Sequence, residues 1–156
     1  MALWNNHKIG MKRMSAGGII FNPAGQVLLV KSRLRGTWEW PAGRSEGNES
    51  PLQTARREVR EECGLDISDF RFLGVNFQTG GMTKNGRLQF TFVAEVGAAM
   101  AADVSPQALE ISDYCWVNLI KAHELMAPKL KNRFESLIEA YENESSTYLE
   151  AGAPIK

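Results

Sequence analysis

Both ends of one helix are written into the stretch "SPLQTARREVREECGL", residues 50–65. Ser50 is an N-cap residue type, Pro51 suits the first helical position, and Gln53 completes a capping box with Ser50. Gly64 is placed to end the helix in the left-handed conformation, with Leu65 as its hydrophobic closure. Counting about 100° per residue from Leu52, the residues Leu52, Ala55, Val59 and Cys63 share one apolar face. Glu61, Glu58 and Glu62 follow at about 180°, 240° and 280°, a single acidic arc beside that face, with Arg57 at its edge. The helix therefore has a side to bury, an acidic stripe and one flanking guanidinium.

That stripe is locally unfavourable in two ways. The like-charge pair Glu58 and Glu62, four residues apart, costs a helix about 0.2–0.5 kcal/mol. The acids also occupy the second half of the helix, near the negative end of its dipole. Arg57 offsets part of this, and Arg60 some more. A divalent cation would reverse both penalties at once. Magnesium in particular takes hard oxygen ligands, typically one or two carboxylates plus waters and substrate phosphates. "REVREE" alone reads equally as a solvated Glu/Arg face, so the residues around it decide the matter.

On the N-terminal side, "SAGGIIF" and "VLLVKS" read as strands joined by the turn "NPAGQ". The long connection "GTWEWPAGRSEGNES" carries two tryptophans, which favours a functional loop. After the helix come strand candidates "FRFLGVNFQTG" and "GRLQFTFVAEV" around "GGMTKNG", then the short strand "YCWVNL". "IKAHELMAP" and "KLKNRFESLIEAYENE" read as helices, the second with Leu130, Phe134, Leu137, Ile138 and Tyr141 at helical spacing for core packing. "ENESSTYLEAGAPIK" reads as a loose tail. Strands mixed with a few helices predict an α/β or α+β layered domain.

Composition removes several function classes. The 18 basic and 18 acidic residues give no net charge, so neither nucleic-acid binding nor a membrane surface is indicated. No apolar stretch has the length of a signal-peptide core or a membrane span. Cys63 and Cys115 are isolated, and read as small core hydrophobes carrying reduced thiols in a cytoplasm. No Ser/His/Asp or Cys/His grouping is apparent, and His7 and His123 read as ordinary surface residues.

The wider stretch runs Gly43, five residues, Glu49, seven residues, then "REVREECGL". It resembles, position for position, the signature of the Nudix hydrolases. Gly43, Glu49, Arg57, Glu58, Val59, Glu61, Glu62, Gly64 and Leu65 fill all nine specified places, and "TWEWP" is similar to the family's usual lead-in. The resemblance implies an α/β fold of α+β mixed-sheet type, an α/β/α sandwich with the box as a loop-helix-loop, over residues 13–143. Residues 1–12 would be an N-terminal arm and 144–156 a C-terminal tail. It also implies a pyrophosphohydrolase acting on a nucleoside diphosphate linked to another moiety, using Mg2+ with Mn2+ as a substitute. Carried over, Glu58, Glu61, Glu62 and the Gly43 carbonyl would ligate metal, Arg57 would orient the glutamates, and Glu49 would support Arg57 or bind an additional ion through water. One box glutamate, Glu61 among them, is a candidate for activating water.

Outside the box, "SPQALEISDYCWV" resembles the region where many relatives carry their general base. Glu110 is the first candidate and Asp113 the second. For substrate contacts the candidates are the basic residues Lys31, Arg33 and Arg35 and the aromatics Trp38, Trp40, Phe77 and Phe90. The compact length resembles housekeeping hydrolases that clear (d)NTP-type nucleotides. The alternatives are ADP-ribose, nucleotide-sugar or dinucleoside polyphosphate hydrolysis, a nucleotide sensor without catalysis, and a prenyl diphosphate isomerase. A nucleotide-type small molecule is the expected partner, with no nucleic acid, no membrane, and a homodimer left open.

Overall fold

Along strand β1 (Arg13–Phe21), buried from Ala16 onward, successive side chains pass to opposite faces. Ile19 and Phe21 enter one apolar cluster and Ile20 another. Strand β2 (Val27–Ser32) repeats the pattern, with Val27 and Leu29 on one side and Leu28 and Val30 on the other. Both faces are covered, which is why "VLLV" is an unbroken apolar run and not an alternating one.

The computed structural model describes residues 12–80 and 83–155. The expected arm, apart from Lys12, lies outside the described residues, and so does His7. The other strands are β3 (Trp38–Glu39), β4 (Ala42–Arg44), β5 (Arg71–Gly80), β6 (Thr83–Glu95), β7 (Ile111–Val117), β8 (Thr147–Glu150) and β9 (Ala153–Pro154). Among the described residues they form one sheet ordered β3-β2-β1-β6-β5-β8-β9, with β4 also on β1 and β7 also on β2. The pairs β1–β6 and β5–β8 are parallel, and the rest are antiparallel. Helix α1 (Pro51–Cys63) covers one face, with Val59 and Cys63 against Ile20 and Leu28. Helix α2 (Ala98–Ala102) follows β6. Helices α3 (Leu119–Leu125) and α4 (Pro128–Glu142) cover the other face, with Phe134 and Leu137 against Ile19 and Leu29. A mixed sheet between helical layers is the architecture the resemblance implies.

The ends of α1 are as the sequence requires. The Gln53 amide donates to Ser50 Oγ at 3.2 Å, and the Ser50 amide donates to Gln53 Oε1 at 2.8 Å. Gly64 has φ 72°, the left-handed region, and its amide donates to the Arg60 carbonyl at 2.9 Å. The long connection before α1 is less loose than its composition suggests. Part of it, β3, pairs with β2, and β4 pairs with β1 through Ser15–Arg44, Ala16–Gly43 and Gly17–Ala42. The start of the box is thereby pinned to the centre of the sheet.

The C-terminal segment corrects the expectation of a loose tail. Strand β8 pairs in parallel with β5, from Gly74–Thr147 to Phe77–Glu150, and Leu149 is wholly buried. The polar run "ENESS" hides the β-forming "TYLE" behind it, where a single alternate residue reaches the core. Leu149→Ala is expected to cost about 2–5 kcal/mol in urea unfolding, whereas a dangling tail would leave the midpoint where it was.

Candidate functional site

Arg57, in the middle of α1, is the hub of the box. Its Nε and Nη2 donate to the two oxygens of Glu49, at 2.6 and 3.0 Å. Nη1 donates to Glu58 at 2.9 Å and Glu61 at 3.0 Å, and Nη2 also reaches the Arg44 carbonyl at 2.8 Å. Glu49 accepts further from the Glu46 amide and from Thr54 Oγ1. The guanidinium foremost, then the Glu46 amide, holds the Glu49 carboxyl down to about 2.

Glu58 and Glu62 are each 7% exposed, the two buried acids of the box. The Glu58 carboxylate lies against Gly43, where any Cβ would collide with it. Glu62 accepts from the Ala42 amide at 3.1 Å and has no ion pair among the described residues. Burial pushes the Glu62 carboxyl up to about 9, with the neighbouring Glu58 charge adding to it. Burial also raises Glu58, against the pull of Arg57. Glu61 is more open and turned to Arg57.

Two acids beyond the helix act on this pair. The charge of Glu110 raises both Glu58 and Glu62, and that of Glu39 raises Glu62. Glu110 is exposed on the turn before β7, and its carbonyl accepts from the Arg33 amide at 2.8 Å. Asp113 instead caps the Tyr114 amide from within β7, opposite Lys31. Of the two general-base candidates, only Glu110 has a charge that raises the box carboxyls.

Beside Ala42 and Gly43 opens a cleft of about 720 Å³, whose wall includes Arg35, Arg44, Arg87, Lys129 and Arg133. Of the expected contacts, only Arg35 and Trp40 line it. Arg33 is spent on the Glu110 turn, donating Nε to the Ala108 carbonyl at 2.8 Å. Trp38 packs on the core beneath Lys31. Phe77 lies against Gly86 and Lys12, and Phe90 packs on a third apolar cluster. None of these three aromatics lines the cleft, and neither does Arg33, which lies exposed on the turn after β2. His123 sits on α3 with Nε2 2.6 Å from Glu135, outside the cleft wall.

Sequence reasoning missed Glu39 and Arg133. Arg133 did leave a signal: it stands three residues after Leu130 and four before Leu137, on the apolar stripe of α4. It is 8% exposed, its Cζ lies 4.7 Å from the Trp40 ring centroid, and burial draws its guanidinium down to about 10.

The donor set suits a hard divalent cation: buried carboxylate oxygens and the Gly43 backbone, with no compensating charge on Glu62. Among the described residues no three acidic, His or Cys side chains converge to cage an ion unaided. No helix among the described residues is long and apolar enough to cross a membrane.

A family model described as the NUDIX domain matches residues 11–140. The chain is 31% identical over 119 residues to the 8-oxo-dGDP phosphatase NUDT18 of Danio rerio, covering 71% of this chain and 35% of that protein. It is 40% identical over 62 residues to the RNA pyrophosphohydrolase of Halorhodospira halophila, covering 40% of this chain and 34% of that one. The chain thus spans about a third of the length of these curated relatives. The crystal structure of the MutT protein from Methanosarcina mazei Go1 superposes with a TM-score of 0.70 at 25% identity, over 86% of this chain and 96% of that one.

The raised Glu62 carboxyl has a consequence for stability. Between its ordinary value of 4.5 and about 9, the folded chain holds a proton that the unfolded chain has lost. Stability therefore falls as pH rises through that window. In chelator at pH 8.5, Glu62→Gln is expected to raise the Tm by about 3 °C or more, and at pH 5 hardly at all. An equal Tm difference at both pH values in scanning calorimetry would contradict this.

Proposed function

Since the chain belongs to the NUDIX domain family, we propose that it is a metal-dependent hydrolase of the pyrophosphate linkage in nucleoside diphosphate derivatives. Magnesium is its metal, manganese a substitute, and (d)NTP-type nucleotides its substrate class. One observation carries this reading: Glu58, which shares Arg57 with other acids, and Glu62, which has no ion pair among the described residues, lie against Gly43 and Ala42, and these two line a cleft walled by basic side chains. A cation alone would answer the acids and an anion alone the bases, whereas a metal-bound polyphosphate answers both. The names of the Danio and Halorhodospira relatives, an 8-oxo-dGDP phosphatase and an RNA pyrophosphohydrolase, support a nucleotide-type substrate.

Glu58, Glu61, Glu62 and the Gly43 carbonyl would hold the metal. When bound, the ion would neutralise non-bridging phosphate oxygens and lower the pKa of water toward neutrality. Arg57 keeps the glutamates in register, and Glu49 fixes Arg57 through a two-point fork. Arg35, Arg44 and Lys129, exposed on the cleft wall, meet the phosphates. Glu110 accepts the proton of the attacking water, on a turn held in place by Arg33.

The test is nucleotide or phosphate release, with and without magnesium, from dNTPs, oxidised dGTP, ADP-ribose, nucleotide sugars and dinucleoside polyphosphates. Release is expected only with the metal, fastest from dNTPs, and lost when Glu61→Gln and Glu62→Gln are combined. Tight binding without turnover would point to a sensor instead. Glu110→Gln is expected to lower kcat by about 10²–10⁴-fold with KM little changed. Wild-type turnover in that variant removes Glu110 from the mechanism.

A further inference from the structure

We propose that Arg133, set over Trp40 in the cleft wall, selects nucleobases that present a carbonyl oxygen and not an amino group at that edge. The inference rests on the nucleotide reading of the cleft given above.

Arg133 is more than nine-tenths buried, yet among the described residues it has no carboxylate partner. Its one hydrogen bond there is long, from Nη2 to Thr91 Oγ1 at 3.5 Å. Glu39, the acid whose charge reaches it, is already paired with Arg35. A guanidinium carries five donors and no acceptor, so most of its capacity is unused. Trp40 adds to the shortage. Its ring is 3% exposed and lines the same cleft, and its indole N–H is buried without a partner among the described residues. Buried polar groups are normally satisfied. These two under-used donors, side by side in the cleft, are complementary to an oxygen acceptor brought in by a ligand.

The surroundings favour a base edge over a phosphate as that acceptor. Arg35, Arg44 and Lys129 are exposed charges of the kind that suit phosphates. Arg133 is dry and backed by rings instead: Trp40 lies beneath it, and Phe134 stacks on Trp40 with centroids 6.0 Å apart. A planar guanidinium held on an aromatic face offers a fixed fork, which matches the planar edge of a keto base. An amino group in the same place would set donor against donor and leave both unsatisfied.

IMP and AMP differ only along one edge of the purine, a carbonyl oxygen beside a protonated N1 in IMP against an amino group beside an unprotonated N1 in AMP, so they isolate the readout of that edge. Titration calorimetry on the whole protein compares their affinities in the wild type, Arg133→Lys and Arg133→Met. The wild type is expected to bind IMP about 10-fold or more tightly than AMP. That preference should vanish in Arg133→Met, while AMP and inorganic pyrophosphate bind as before. Arg133→Lys keeps the charge but loses the fork, and should lose most of the preference too; it carries the comparison if the methionine variant folds poorly. Equal weakening of IMP, AMP and pyrophosphate would make Arg133 a phosphate contact and overturn the inference, as would equal binding of IMP and AMP by the wild type. No turnover is needed here. A chain that prefers IMP but hydrolyses nothing defeats the hydrolase reading alone, and one that hydrolyses nucleotides without that preference defeats only this inference.

Discussion

The guanidinium of Arg57 is the interaction on which the site depends. It meets Glu49 and the Arg44 carbonyl before the helix, and Glu58 and Glu61 within it. One residue thus closes the loop-helix unit into a fixed shape. A lone ion pair on a surface would contribute little, but this one is mostly shielded and serves several acceptors, so its geometry is over-determined. It does not neutralise the site. One positive charge faces four carboxylates, those of Glu46, Glu49, Glu58 and Glu61, and Glu62 lies beyond its reach with the Ala42 amide as its hydrogen-bond donor. The fold therefore gathers more buried carboxyl groups in one place than its own cations answer, at the expense of its own stability. Such local conflict is what a ligand-binding site looks like before its ligand arrives.

The cleft extends this polarity. Acids gather where β4 meets α1, and bases stand along the walls contributed by β4, β6 and α4. Net charge is zero over the whole chain, yet acids and bases are set apart across this one surface. A ligand with phosphates at one end and a neutral ring at the other meets a matching arrangement.

Much of this was legible in the sequence, and the reason is local. The capping box, the proline and the left-handed glycine of α1 each act within a few residues, so they can be read without knowing the fold. The nine box positions work the same way, because helix geometry alone puts Glu58, Glu61, Glu62 and Arg57 on neighbouring faces. What could not be read depends on sheet register. Trp38, Phe77 and Phe90 are as aromatic as Trp40, but only the pairing of β3, β5 and β6 decides which ring reaches the cleft. Arg33 and Arg35 lie two apart, and the turn they share sends one to a carbonyl of the Glu110 loop and the other to the cleft. The strand "TYLE" escaped notice because four residues gain a strand's stability only from the neighbour they join, here β5.

The stretch Trp40–Gly43 shows how the two ends of the site are held in step. Gly43 gives way to Glu58 of α1 on one face of the sheet. Trp40, three residues earlier, packs on Phe134 and Arg133 of α4 on the other. Between them the Pro41 carbonyl accepts from the Gly18 amide at 3.0 Å, and Ala42 pairs with Gly17, so this short span is fastened to β1. Three residues extend to at most ~11 Å. The acidic end and the donor-rich end are therefore set at a fixed separation by the backbone itself, and the two helical layers that supply them need not touch. On the reading proposed above, the parts of the site that meet the base and the phosphates are anchored on the same four residues.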